Sequence, residues 1–395
     1  MHRKIVKGVY YIGVDDNYTE LFENLWELPF GVSYNSYLIV DEKVVLIETV
    51  KNIFTNEWLD NIREIIDPSK IDYIILNHME PDHTGSLPTI AEIAKDATII
   101  LSPRAVQMQE SFYDVPLPMK AVEDLEELSI GKWTLKFIHV PFVHWPETMM
   151  TQLVEEEILF SCDAFGSYGS LNGKHFDDEI NMELIEKESK RYLSTIITTY
   201  FKFVQRAIKK TIDLNIGCKV IAPSHGPIYR KNPMWVIEQY NQWSSPELEN
   251  YVTIVYGSMY GHTLKLSHLL KKELNELGVE VKMHNISYSN VGQVITDSVK
   301  AGVIVIAVPT YDAHPFPLIW NFVSEMETKR FTPRPAALLA TYGWQGGAVK
   351  NLKEAIEEKC KFELLEPIVR VRARPTEEDI KSYKELAKVI AKKVK

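Results

Sequence analysis

The sequence predicts an α/β protein of two domains: a strand-rich sandwich over residues 1–248, then an open, doubly wound parallel sheet of five strands over 249–395. Three observations carry that prediction. The chain has 395 residues, more than one hydrophobic core usually serves. The polar, proline-containing segment Gln242-Trp243-Ser244-Ser245-Pro246-Glu247 separates two rhythms, short apolar runs with turn signals before it and strands alternating with helices after it. Finally, several chemistry-bearing side chains each stand just past an apolar, β-branched run, the place where a sheet delivers residues to a common rim.

In the first domain those side chains are potential metal ligands. Four fall within the hexapeptide His78-Met79-Glu80-Pro81-Asp82-His83, which follows the run IDYIIL. His144 follows KFIHVPFV, Asp163 follows EILFSC, and His225 follows KVIAPS. If these runs are strands of one sandwich, all seven ligands leave the sheets at the same edge. Four imidazoles and three carboxylates without a thiolate suit iron, manganese or zinc rather than copper(I) or an iron–sulfur cluster. Three carboxylates would leave a divalent pair with one uncompensated positive charge, which a bridging hydroxide would neutralise. The layout is similar to that of metallo-β-lactamase-type zinc hydrolases, whose usual motif is HxHxDH. Here Glu80 stands in place of the second histidine, and an anionic oxygen donor favours redox-active iron over zinc.

The second domain begins with a strand at YVTIVY (251–256) and a helix from about Thr263, on which Leu266, Leu269, Leu270 and Leu274 form an apolar stripe. VEVKMH (279–284), the near-continuous apolar GVIVIAVP (302–309), a helix after Phe316, AALLA (336–340) and a helix from Ala348 continue the alternation. Such βαβ order predicts a parallel sheet covered on both faces, and about 145 residues with five strands suit a flavodoxin-like domain. Ligands bind such sheets beyond the carboxyl ends of the strands. The loop Gly257-Ser258-Met259-Tyr260-Gly261-His262-Thr263 offers hydroxyls and free N–H groups to a phosphate at a helix start. It has no lysine and no Walker pattern, so a phosphate monoester such as that of FMN fits better than a triphosphate. Two further loops, Pro309-Thr310-Tyr311-Asp312-Ala313 and Thr341-Tyr342-Gly343-Trp344-Gln345-Gly346-Gly347, bring aromatic faces and glycine-exposed amides to a flat ring.

Composition bounds the partners. A net charge of −10 argues against nucleic acid or an anionic membrane, both of which need a cationic surface. Cys162, Cys218 and Cys360 are widely spaced and form no CxxC pair, so buried core thiols in a reduced, cytoplasmic setting are expected. The N-terminal stretch has too short an apolar run for a signal peptide, and no run approaches a membrane span.

Taken together these residues resemble the flavodiiron proteins, also called A-type flavoproteins, across essentially the whole chain. That family joins a metallo-β-lactamase-like αββα sandwich holding a non-haem diiron site to a flavodoxin-like five-stranded parallel domain holding FMN. Its signature is HxExDH, then a histidine and an aspartate enclosing eighteen residues, then a final histidine. His144 and Asp163 enclose eighteen residues, and His225 stands within Pro223-Ser224-His225-Gly226-Pro227. The resemblance implies that His78, Glu80 and His144 bind one iron, that Asp82, His83 and His225 bind the other, and that Asp163 bridges them. His2, His139, His175, His268, His284 and His314 match no part of the pattern. Departures from common family forms are Glu147-Thr148 where Asp-Ser is frequent, His262 where Asn is common, and the stretch Glu23–Pro29, which lacks a histidine that some members place near the iron pocket.

The implied activity is four-electron reduction of dioxygen to water, two electrons stored in the iron pair and two in reduced FMN, with no separate protein nucleophile. Reduction of nitric oxide to nitrous oxide at the same metals is the close alternative; a zinc hydrolase with a regulatory flavodoxin module and an electron carrier with a decayed metal site are more distant. The resemblance further implies a head-to-tail homodimer, or a tetramer of such dimers, in which Trp145 and Glu80 approach the partner's flavin. The four-cysteine module of some relatives does not follow the last helix, so a separate donor, a rubredoxin or a flavoprotein reductase, is expected.

Overall fold

The computed structural model describes residues 3–394, and His2 lies outside them. The chain divides between Ser245 and Pro246 into two compact units.

In the first unit, a seven-stranded mixed sheet and a five-stranded mixed sheet share one core. Tyr37, Ile39, Val45, Ile47, Ile75 and Ile100 of the first sheet pack with Leu135, Phe137, Met149, Leu153, Ile158 and Phe160 of the second. Alternation of side chains along each strand fills this layer from both sides. The helices Thr55–Arg63 and Phe201–Asp213 each bury one apolar face, Trp58, Leu59 and Ile62 on the former and Val204, Ala207 and Ile208 on the latter, completing helix layers outside the sheets.

Three of the four expected strands are present: Tyr73–Leu76 before His78, Ile158–Cys162 before Asp163, and Val220–Pro223 before His225. The fourth is shorter than its apolar run suggests. Thr134–His139 is a strand, but the chain then turns through Pro141 and Phe142, whose φ of 65° is left-handed, so His144 sits in a loop rather than at a strand end.

The second unit is a parallel sheet with the spatial order Glu280–Asn285, Glu249–Tyr256, Ala301–Tyr311, Pro335–Tyr342 and a split edge position. That edge consists of Glu363–Leu364 and Val369–Arg372, both parallel to Pro335–Tyr342. Pro367 lies between the two pieces and cannot donate to a ladder, which accounts for the break. A two-residue strand, His314–Pro315, adds an antiparallel flap to the end of Ala301–Tyr311. Helices His262–Glu276 and Glu377–Val394 pack Leu266, Leu270, Leu274, Leu386 and Ile390 on one face of the sheet. The apolar stripe is narrower than the sequence suggests: Leu269 is 51% exposed, a quarter turn off the buried face.

Arg334 shows how this unit handles a buried charge. It donates to the carbonyls of Ser298, Val299, Ala301 and Thr332 at 2.8–3.0 Å, closing the carboxyl end of helix Val291–Val299. Burial pushes its guanidinium down to about 10.

Candidate metal centre and flavin loops

The hexapeptide works because of Pro81. The residue before a proline is held extended and the proline itself favours the first helical position, so Glu80 is extended (φ −62°, ψ 142°) and Pro81–Thr84 forms one helical turn. The backbone break sends Glu80 one way and Asp82 and His83 another. Thr84 fixes the turn by donating to the carbonyls of Met79 and Glu80 at 3.1 and 2.9 Å.

Seven side chains converge as expected, in two sets that share Asp163. His78 Nε2 and His144 Nε2 lie 3.2 and 2.9 Å from Glu80 Oε2, and both lie 3.4 Å from Asp163 Oδ2. His83 Nε2 and His225 Nε2 lie 3.2 and 3.4 Å from the other oxygen, Asp163 Oδ1. They also lie 3.5 and 3.3 Å from the oxygens of Asp82. Donors bonded to one ion at ~2.1 Å stand roughly 3.0–3.4 Å apart, so both sets have the separations of a coordination shell. The donors also lack other partners: both Asp82 oxygens, His83 Nε2, His225 Nε2 and Asp163 Oδ2 are buried without a hydrogen bond. Such orphans are rare in folded proteins unless an ion or water satisfies them. The residues therefore fit a pair of metal ions, one on each side of the Asp163 carboxylate.

The electrostatics agree. Burial alone would lower the imidazoles, but the facing carboxylates of Asp163 and of Glu80 or Asp82 outweigh it, pushing His144 up to about 9 and His225 up to about 10. Burial would likewise raise Glu80 and Asp163, yet the surrounding histidines hold both well below the usual carboxylate range. The carboxylates thus gather positive charge, in the positions that cations would take.

A supporting layer orients the ligands, and the sequence did not disclose most of it. Glu147 Oε1 lies 2.7 Å from His78 Nδ1 and accepts from the N–H of Met79 at 3.0 Å. Ser33 offers its carbonyl to His225 Nδ1 at 2.8 Å. The buried Glu48 accepts from the N–H of Asn77 and faces His83 Nδ1 at 3.7 Å. A proton held on Nδ1 leaves Nε2 as the lone-pair nitrogen, the tautomer a metal requires. Tyr192 donates to Asp163 Oδ1 at 2.9 Å. Of these residues only Glu147 stands out in the sequence, as a departure from a motif; Ser33 lies on the distant strand Val32–Tyr34, Glu48 just past the strand Val44–Ile47, and Tyr192 at the end of the helix Met182–Tyr192.

Cys162 is a buried thiol as expected, and its sulfur also lies near His83 and Asp163, the donor atoms of the three within 4.8 Å of one another. Cys360 is buried as expected, whereas Cys218 is only half-buried. Trp145 packs its ring edge-on against His78 and His144, with centroids 5.0 and 6.1 Å apart. The outer faces of Glu80 and Asp82 open on a surface cavity of about 680 Å³ bordered by Phe22, Glu23, Tyr34, Lys51 and Tyr113. The remaining described histidines lie elsewhere: His139 on the carbonyl of Val122, His175 against Tyr11, His284 on Asp297, His314 on Asn351 and His268 on the outer face of its helix.

In the second unit the three segments lie at the carboxyl ends of adjacent strands, but residues 309–311 and 341–342 still belong to their strands, so the second loop shrinks to a turn at Asp312 and Ala313 closed by the flap His314–Pro315. Ser258 Oγ accepts from the N–H groups of Gly261 and Leu264 at 3.1 and 3.3 Å, curling the first loop into the helix start. Gly261 holds a left-handed φ of 85° there, a conformation that glycine adopts freely. His262 opens the helix, one residue before the expected start. Thr263 and Thr341 join hydroxyls at 2.8 Å, tying the first loop to the third. The second and third loops meet at Gly347, where a Cβ would fall 1.9 Å from the carbonyl oxygen of Ala313. Tyr260 and Trp344 are 88% and 80% exposed, and Met259 and Tyr311 are also exposed. Open aromatic faces beside a hydroxyl- and amide-lined turn suit a flat ring carrying a phosphate.

Comparison with known proteins places this arrangement. Residues 32–226 match the family model described as ODP family beta lactamase, and residues 254–385 match that described as Flavodoxin. A nitric oxide reductase of Moorella thermoacetica is 33% identical over 393 residues, 99% of this chain and 98% of that protein. The solved structure of rubredoxin oxygen:oxidoreductase from Desulfovibrio gigas has a TM-score of 0.96 at 28% identity, covering 100% of this chain and 98% of that one. The flavodiiron protein from Giardia intestinalis has a TM-score of 0.93 at 26% identity, covering 100% and 97%. With both domains matched in order along nearly the full length, the chain belongs to the flavodiiron protein family.

Proposed function

We propose that this oxidoreductase reduces dioxygen to water, O2 with four electrons and four protons giving two H2O. The observation that carries the reading is Asp163, whose two oxygens face two separate sets of histidine and carboxylate donors. His78, Glu80 and His144 would hold one iron and Asp82, His83 and His225 the other. When bound, the irons and FMN supply electron storage and transfer that no side chain can provide. The protein contributes placement. Glu147 and Ser33 fix two imidazole tautomers, Tyr192 steadies the shared carboxylate, and Trp145 covers the histidine edge. Glu80 and Asp82 stand where the pocket opens, so a small neutral diatomic can reach the site without crossing the core.

For FMN, the turn at Ser258, Met259, Tyr260, Gly261, His262 and Thr263 would take the phosphate. Pro309, Thr310, Tyr311, Asp312 and Ala313, with Tyr342, Gly343, Trp344, Gly346 and Gly347, would flank the ring. We further infer a head-to-tail dimer or tetramer in which each FMN serves the neighbour's metal pocket, and a separate donor protein such as a rubredoxin or flavoprotein reductase. No helix among the described residues is long and apolar enough to cross a membrane. Free cysteines support a cytoplasmic setting.

Nitric oxide is the second reading, supported by the Moorella relative's name. There two NO, two electrons and two protons give N2O and H2O. Steady-state turnover of the iron- and FMN-loaded protein on O2 and on NO, with one donor, tests the choice. Faster turnover on O2 without peroxide release is expected. Stoichiometric peroxide, or turnover on NO alone, overturns it.

A further inference from the structure

The edge strand Val369–Arg372 alternates: Val369 and Val371 are buried in the core, and Arg370 and Arg372 face outward. The arginines do not simply extend into water. Arg372 Nε donates to the carbonyl of Gly343 at 3.0 Å, and Arg370 Nη2 donates to the carbonyl of Gly346 at 3.3 Å. The Arg370 guanidinium also lies 5.8 Å from the centre of the Tyr342 ring. Two cations therefore grip the third loop at two of its glycines. At Gly346 a Cβ would lie 2.9 Å from Arg370 Nη2 and 3.2 Å from Tyr342, so a larger residue there would push the guanidinium off the loop.

The grip has a directional consequence. In a planar trans peptide the C=O and the following N–H point opposite ways. Holding the carbonyls of Gly343 and Gly346 toward the arginines turns the N–H groups of Trp344 and Gly347 away from them. Among the described residues neither N–H has a protein acceptor. A cation on a carbonyl also polarises its peptide and strengthens the N–H on the other side as a donor.

We propose that Arg370 and Arg372 are positioning residues that aim two strengthened backbone donors at the acceptor edge of the flavin, favouring its reduced form. Reduction of FMN by two electrons from the donor protein and one proton leaves the ring anionic, and preorganised N–H groups stabilise that charge more than the neutral oxidised ring. The inference rests on the reading of these loops as the FMN site.

The test compares the parent with paired variants R370Q/R372Q and R370K/R372K, reading oxidised FMN affinity by fluorescence quenching and the two-electron midpoint potential by photoreduction against a reference dye. Circular dichroism checks the fold. Loss of both cations is expected to weaken oxidised FMN by no more than about threefold and reduced FMN about tenfold more than that, a midpoint lowered by ~30 mV. The lysine pair keeps the charge but not the fixed fork, and recovers only part of the shift. An unchanged potential in the glutamine pair, or full recovery in the lysine pair, overturns the proposal, the latter by showing that distant charge suffices. A parent that takes up no FMN sinks the flavin reading itself, and this inference with it.

Discussion

The candidate metal pocket and the proposed flavin loops meet the same requirement, holding a cofactor in position, by opposite means. The pocket is built from side chains, buried and braced by a further layer: Glu147 behind His78, Ser33 behind His225, Tyr192 on Asp163. The proposed flavin site is built from backbone, exposed, and shaped by what glycine permits at Gly261 and Gly347. Side-chain ligands pay off where the bound group is a point charge needing several anionic or imidazole donors in a fixed shell. Backbone loops suit a large flat ring with a phosphate tail, which needs reach and N–H donors. Substitutions should therefore fail sharply in the first region and gradually in the second.

The largest effect is expected at Asp163. Asp163→Ala removes the one group facing both ligand sets, so bound iron should fall from two to fewer than one per chain and turnover by roughly 100-fold or more. Elemental analysis beside steady-state rates checks this; retention of two irons would break the contrast. Glu147→Gln should come next, costing about 10–100-fold in metal affinity or turnover with the ligands themselves intact. Competition with a chelator measures it.

In the second unit, Arg334→Met strands several buried carbonyls and should destabilise that unit by about 3 kcal/mol, read by urea unfolding. Gly347→Ala places a methyl against the Ala313 carbonyl and should weaken FMN about tenfold without changing iron content, separating loop from pocket. The smallest effect concerns pH. Burial would raise Asp297, but hydrogen bonds from His284, Gln293 and Lys282 hold it down to about 2. A depressed carboxyl stabilises the fold fully above its unfolded value of about 3.9, and that contribution is lost as pH falls toward 2. Asp297→Asn should flatten the stability profile of the second unit in that window.

The sequence was most informative where function is written in consecutive residues. His78 to His83 contributes four donors in one turn, and Pro81 makes the local geometry readable from the sequence itself. The flavin loops were legible because parallel strands announce their carboxyl ends. The bracing residues were not, since Glu48 lies 29 positions from Asn77 and Ser33 lies 192 from His225. Pairings at that separation leave no periodic trace. The arginine grip was hidden for the same reason, with Arg372 29 positions beyond Gly343. Local pattern also misled in two places. KFIHVPFV is apolar enough to read as one strand but turns at Pro141 and Phe142, and Leu269 falls near enough to the leucine stripe to look buried.

Anomalous diffraction at the iron edge, on crystals grown from iron-replete protein, tests the central claim most directly. Two iron peaks should lie on either side of the Asp163 carboxylate, roughly 3.5–4 Å apart, one among His78, Glu80 and His144 and the other among Asp82, His83 and His225. A single peak, or iron bound away from Asp163, would contradict it.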